Sequence, residues 1–215
     1  MAHFLLLTLI VTAVLSAVIL IYYREELRIH IWTSAVLSVL HTAAGVICVK
    51  LFAGLESLSN PLHAGMSLFG AIFFLPLLYW VCSRLTHRDT AVVFDDFCLC
   101  VIIAMMCVRF NCIVSGCCAG RFIAETNVRW PTRQAEILFW AALLLWFLHK
   151  KRQGYIKGIL YPQMMMLYGI FRFFIEFLRD EKAVIGGFHF GHIWAVVSFF
   201  VGSFVYFALI ERSKS

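Results

Sequence analysis

Seven apolar runs divide this chain, and they constrain its fold more than any motif it carries. They are Phe4–Tyr22, Trp32–Phe52, Met66–Cys82, Phe97–Val114, Ala135–Leu148, Ile159–Leu178 and Ile193–Ile210. Most reach the roughly 17 to 25 residues that a helix needs to cross a bilayer; the fifth is short and is expected to begin earlier or to tilt. Backbone polar groups in lipid must be satisfied within the segment, so helices are expected rather than open strands. Charged residues make up only 14% of the 215 positions, against about 25% in soluble domains. No repeat or low-complexity linker interrupts the runs. The reading is an all-α polytopic membrane protein with seven transmembrane helices, forming a single transmembrane domain over residues 1–215.

Lysine and arginine outside the runs set an orientation. They collect at 24–28, 84–88, 150–157 and in the tail at Arg212 and Lys214, and outnumber those on the other side. The positive-inside rule then puts the N-terminus outside and the C-terminus in the cytoplasm. Met1-Ala2-His3 lacks the basic start of a signal peptide, so the first helix is expected to be retained. The net charge of +6 fits this topology and anionic lipid; with no soluble basic domain, no nucleic-acid partner is expected.

The most informative stretch runs Arg109-Phe-Asn-Cys-Ile-Val-Ser-Gly-Cys-Cys-Ala-Gly-Arg121. It sets an arginine at the end of an apolar run, then Cys112, Cys117 and Cys118, with Gly116 and Gly120 permitting close backbone approach and Arg121 closing it. Such a stretch suits an anion at a membrane. The other five of the eight cysteines lie in or beside apolar runs, where a thiol behaves as a small hydrophobe. Paired CxxC knuckles and HxxxH are both missing, so neither metal nor cofactor is expected.

In the sixth run Tyr168, Arg172 and Glu176 recur every four residues and Arg179 follows three later, forming one helical stripe. Ionised groups in a span cost about 2.5–3.5 kcal/mol each on insertion scales, so they face a partner or a cavity. Arg172 and Glu176 are either a structural ion pair or part of a site. If Arg109 and Arg172 converge, an anion must lie between them, and a lipid phosphate is at hand. The stretch Arg129-Trp-Pro-Thr-Arg-Gln-Ala-Glu136 opens the fifth run. There Pro131 suits a first turn, Thr132 a cap, and Glu136 either neutralises the helix end or works in the site.

These segments, in this order, resemble the prolipoprotein diacylglyceryl transferase family of bacterial inner membranes. Its signature Arg-x-Gly-Asn-x-x-Asn-Gly-Glu-x-x-Gly-Arg meets Arg109, Gly116, Gly120 and Arg121; its His-Pro-Ser-Gln-x-x-Glu meets Pro131 and Glu136. Its Tyr-Gly-x-x-Arg-x-x-x-Glu-Phe-x-Arg is matched by Tyr168, Gly169, Arg172, Glu176, Phe177 and Arg179, and Gly65–Gly70 looks like its Gly-Met-Ser-Phe-His-Gly. The departures are Phe69 in place of the family histidine, Cys112 and Ser115 in place of asparagines, and Cys117 in place of a glutamate.

The resemblance implies a seven-helix enzyme with its active site toward the outer face. It would move a diacylglyceryl group from phosphatidylglycerol, or a related anionic phospholipid, to a thiol acceptor such as a prolipoprotein cysteine, releasing glycerol phosphate. Arg109 and Arg172 would hold the phosphate, with Arg121 an outer contact; Tyr168 would donate to the headgroup and Glu176 would orient Arg172. With Phe69 unable to act as base, Glu136 and His63 are the candidates. Alternatives are a different acceptor, a covalent or redox step at Cys117 or Cys118, and a non-catalytic lipid-binding protein.

Overall fold

The computed structural model describes residues 2–58, 60, 66–123, 126–180 and 188–214. Its helices are α1 (Ala2–Tyr22), α2 (Arg24–Leu27), α3 (Ile31–Ser57), α4 (Phe69–Leu85), α5 (Thr90–Ser115), α6 (Thr132–Gln153), α7 (Leu160–Glu176) and α8 (Phe190–Lys214). The seven longer helices follow the seven apolar runs in order, and α2 is a single turn between the first two. Four are long and apolar enough to cross a membrane: His3–Tyr22, Ile31–Ser57, Thr90–Ser115 and Phe190–Lys214; α4 is a shorter apolar helix. Among the described residues there is no strand, only the isolated bridges Gly120–Arg179 and Phe122–Arg129.

Helix α5 is the axis of the bundle. It packs against α1, α4, α6 and α7, and most of its side chains are buried. The outer helices instead show apolar side chains outward, among them Leu7 and Val14 on α1, Val36 and Leu40 on α3, and Phe200 and Phe204 on α8. An apolar exterior of this extent is the inverse of a soluble surface and fits lipid contact. Helices α7 and α8 pack closely because two glycines carry no side chain at their contact. A Cβ at Gly169 would lie 2.7 Å from the Ala195 carbonyl oxygen, and one at Gly202 would lie 2.7 Å from that of Pro162.

Helix α5 begins seven residues before the apolar run expected at Phe97. The reason is a pair of buried carboxylates. Asp95 accepts from the backbone N–H groups of Gly158 (2.6 Å) and Leu160 (2.9 Å), so it supplies from another helix the cap that α7 lacks from its own Ile159. Asp96 pairs with Lys151, which also reaches Glu26 at 3.2 Å and lies 3.8 Å over the Tyr23 ring. A polar lock therefore ties α2, α5 and α6 at the end of the bundle where the lysines and arginines collect.

Removing one partner of a buried pair strands the other. Lys151→Met should therefore destabilise the protein by roughly 3 kcal/mol, and adding Asp96→Leu should recover most of it. Unfolding in detergent checks this, and a wild-type midpoint for Lys151→Met would refute the lock.

Candidate functional site

At the opposite end of the bundle, five charged side chains form one buried chain. Arg109 on α5 meets Glu136 on α6 (Nε to Oε2, 2.5 Å), and Arg172 on α7 meets the other oxygen of Glu136 (Nη1 to Oε1, 3.1 Å). Arg172 continues to Glu176 (Nη2 to Oε2, 2.6 Å), and Arg179 stands 3.9 Å from the same oxygen. None of the five is more than 8% exposed. The stripe expected on the sixth run is present, and it faces inward.

The two arginines do converge, but the anion between them is the Glu136 carboxylate and not an empty place left for a phosphate. In a low dielectric the guanidiniums need a fixed counter-charge whether or not a ligand is present. Each oxygen of Glu136 therefore stands against a guanidinium, so its charge is spent on both arginines and not on the helix end alone. Pro131 precedes α6 instead of forming its first turn, and the Thr132 hydroxyl donates to the Cys118 carbonyl (3.4 Å) rather than capping its own helix.

Three guanidiniums and two carboxylates alternate through this cluster. Arg109, Arg172 and Arg179 line a cavity of about 430 Å³ together with Tyr168, Cys118, Phe69, Glu56 and His189. Tyr168 is fully buried, stacked on Trp140 at 4.7 Å and tilted against Phe69 at 5.7 Å, and its hydroxyl has no hydrogen-bond partner among the described residues. A buried hydroxyl that no protein group satisfies is suited to a ligand. Met66 and Leu68 line this cavity and also an apolar crevice among α1, α3, α4 and α5, so polar and apolar spaces adjoin.

The other expected site residues divide. Arg121 and Cys117 are exposed, Gly116 is the left-handed cap of α5 (φ 72°), and none of the three lines the cavity. The close approach at Gly120 is to Trp130, whose carbonyl oxygen leaves no room for a Cβ there; separately, its bridge to Arg179, with Arg121 N–H donating to Leu178 O (2.9 Å), zips the loop after α5 to the segment after α7. His63 lies outside the described residues.

Sequence reasoning missed His189 and Glu56. The His189 Nδ1 stands 3.8 Å from Glu176 Oε1, and its backbone N–H donates to Nδ1 of His192 (3.0 Å). Gly191 makes this possible, since a Cβ there would lie 2.5 Å from the Glu176 carboxyl carbon. The crowding of His189, Gly191 and His192 just ahead of the last apolar run was the available signal. Glu56, half-buried, accepts from Trp194 Nε1 at 3.1 Å.

The three thiols after Arg109 also converge: the sulfurs of Cys112, Cys117 and Cys118 lie within 4.8 Å of one another. Spacing rules overlooked this because the chain reverses at Gly116. The Cys118 thiol, beyond the end of α5, is pushed down from the ordinary thiol value, first by its hydrogen bond with Cys112 and then by the charges of Arg179 and Arg109, which together outweigh its burial.

The Prolipoprotein diacylglyceryl transferase family model matches residues 7–208. A phosphatidylglycerol–prolipoprotein diacylglyceryl transferase of Dehalococcoides mccartyi is 27% identical over 130 residues, covering 54% of this chain and 50% of that protein. One of Coxiella burnetii is 28% identical over 157 residues, covering 62% and 58%. One of Borreliella burgdorferi is 50% identical over 44 residues, covering 20% and 13%. The matches to the first two thus span about half the length of those relatives.

In reduced, chelator-treated protein, alkylation of Cys118 by iodoacetamide should reach half its maximal rate at a pH below the ordinary thiol value of about 8.5. Peptide mass spectrometry follows the site. A rate that climbs only above pH 8 would show that burial wins over the hydrogen bond and the arginines.

Proposed function

Since the chain belongs to the prolipoprotein diacylglyceryl transferase family, we propose that it transfers a diacylglyceryl group from phosphatidylglycerol to the thiol of an acceptor such as a prolipoprotein cysteine. The observation that carries this reading is the cavity: three buried guanidiniums and an unsatisfied tyrosine hydroxyl on one polar space that adjoins an apolar crevice. Fixed guanidiniums suit a phosphodiester, and the adjoining apolar crevice gives the lipid end of such a ligand a side on which to lie.

The acceptor sulfur attacks the glycerol carbon that bears the phosphate ester, the carbon–oxygen bond breaks, and glycerol phosphate leaves with the bonding electrons. The leaving phosphate goes from one negative charge toward two. Arginines fixed in place by Glu136 and Glu176 therefore favour the transition state over the bound lipid and need no reorganisation as the charge grows. Arg172 and Arg179 serve as the phosphate contacts, Arg109 supports the field, and Tyr168 donates to the headgroup. Phe69 closes the wall where a histidine would otherwise stand, and His189, backed by Glu176, takes the proton of the acceptor thiol. Cys117 does not line the cavity, and the attacking sulfur is assigned to the acceptor. Seven spans are proposed, with the cavity toward the outer face. The clusters at Arg84, Arg88, Lys150, Lys151, Arg212 and Lys214 sit at the helix ends remote from it, as the positive-inside rule requires.

The test is release of glycerol phosphate and lipidation of a cysteine peptide by purified protein in phosphatidylglycerol vesicles. Arg172→Ala should lower the rate by about 10³-fold, on the scale of losing an oxyanion-type contact. Arg172→Lys should rescue little, because an ammonium cannot reach Glu136 and Glu176 from one planar fork. Tyr168→Phe should cost about tenfold while the protein stays folded. Wild-type turnover by Arg172→Ala would reject the proposal.

A further inference from the structure

Cys112, Cys117 and Cys118 are held together by backbone features beyond the ion-pair chain. Cys118 takes a left-handed backbone (φ 54°); the other described non-glycine residues with positive φ, Arg28, Leu58 and His87, close helices α2, α3 and α4. Cys118 ends no helix, and after the reversal at Gly116 its sulfur lies close to that of Cys112. The Arg133 guanidinium donates to the carbonyls of Cys112 (3.0 Å) and Cys117 (3.3 Å), and Thr132 donates to that of Cys118 (3.4 Å). Each of the three cysteines is thus tied by its own carbonyl to the start of α6.

All three are free thiols. A zinc-class ion bonded to three sulfurs at about 2.3 Å sets those sulfurs about 4 Å apart, so a separation within 4.8 Å needs only a small inward turn of the side chains. Charge favours such an ion. Three thiolates around a divalent cation carry one net negative charge, beside Arg109 and Arg179. Cys118 lines the cavity while Cys112 stands behind it, so an ion on the trio borders the space where the lipid headgroup and acceptor meet.

We propose that Cys112, Cys117 and Cys118 bind one thiophilic divalent cation of the zinc class, with its fourth coordination position open to the cavity and taken by the acceptor thiol. Three protein ligands and one open position are the pattern of catalytic rather than structural zinc. On binding, the acceptor S–H bond breaks, the sulfur keeps the electron pair and bonds to the cation, and the proton passes to His189. The acceptor's part rests on the transfer reaction proposed above; the binding of the ion does not. Together they supply what Phe69 cannot.

The experiment is titration of the reduced, full-length protein in detergent with Co²⁺, followed by Zn²⁺. The expected result is one equivalent of Co²⁺, with a thiolate-to-cobalt band in the near ultraviolet and intense tetrahedral d–d bands, all displaced by Zn²⁺. Cys117→Ser, at an exposed position that the fold does not need, should weaken binding at least tenfold with helicity unchanged, and Cys118→Ser should do the same. A cobalt spectrum that is unaltered in both variants, or no stoichiometric binding to folded wild type, would overturn the site. So would a Cys112–Cys118 disulfide in the reduced sample.

A cysteine peptide added to the cobalt-loaded protein should shift the d–d bands; an unmoved spectrum removes the acceptor from the fourth position. The same titration on Arg172→Ala separates the two claims. An intact cobalt spectrum in a wild type that transfers no lipid would defeat the transfer reaction and leave the ion site standing.

Discussion

The Glu136 carboxylate, shared between Arg109 and Arg172, is the interaction on which the rest of the structure depends. Three helices each place one charge at a depth where none is tolerable alone, and they become tolerable only by meeting. That requirement fixes the rotation of α5, α6 and α7 about their axes. Glu176 extends the constraint to Arg179 and, through the bare backbone at Gly191, to the start of α8. Apolar packing among Leu, Phe and Met side chains can slide with modest loss; this chain cannot.

The same arrangement explains why a site so rich in arginine can exist before any ligand arrives. Each guanidinium that lines the cavity stands within ion-pair distance of a carboxylate. A second polar lock, Asp96 with Lys151 and Asp95 with the start of α7, holds the far end. Between the two locks the buried residues are mostly apolar, with uncharged exceptions such as His41 bonded to Tyr79, so the site is braced from both ends.

Much of this was legible in the residues. The seven runs mark the seven long helices because lipid and core both demand unbroken apolar faces, and Tyr168, Arg172 and Glu176 share a face because 3.6 residues make a turn. Partnership across the chain was not legible. The start of α5 was misplaced because Asp95 and Asp96 look like a boundary until Lys151 and the Gly158 backbone are known to meet them. Glu136 was read as a helix-end charge or a base because nothing local shows two arginines converging on it. The thiol trio escaped spacing rules because the left-handed reversal at Gly116, which only the folded chain reveals, brings positions 117 and 118 back toward 112.

The close seam between α7 and α8, made by Gly169 and Gly202, bears on how the protein is assembled in the membrane. Helix α7 carries Arg172 and Glu176 through its second half, and such a segment is a poor solitary passenger into lipid. By the time it is synthesised, α5 and α6 have already presented Arg109 and Glu136, so its arginine has a counter-charge waiting. Its other face is complete only when α8 follows. Chain order thus makes α7 and α8 a hairpin delivered to a receptor that α5 and α6 have already half built.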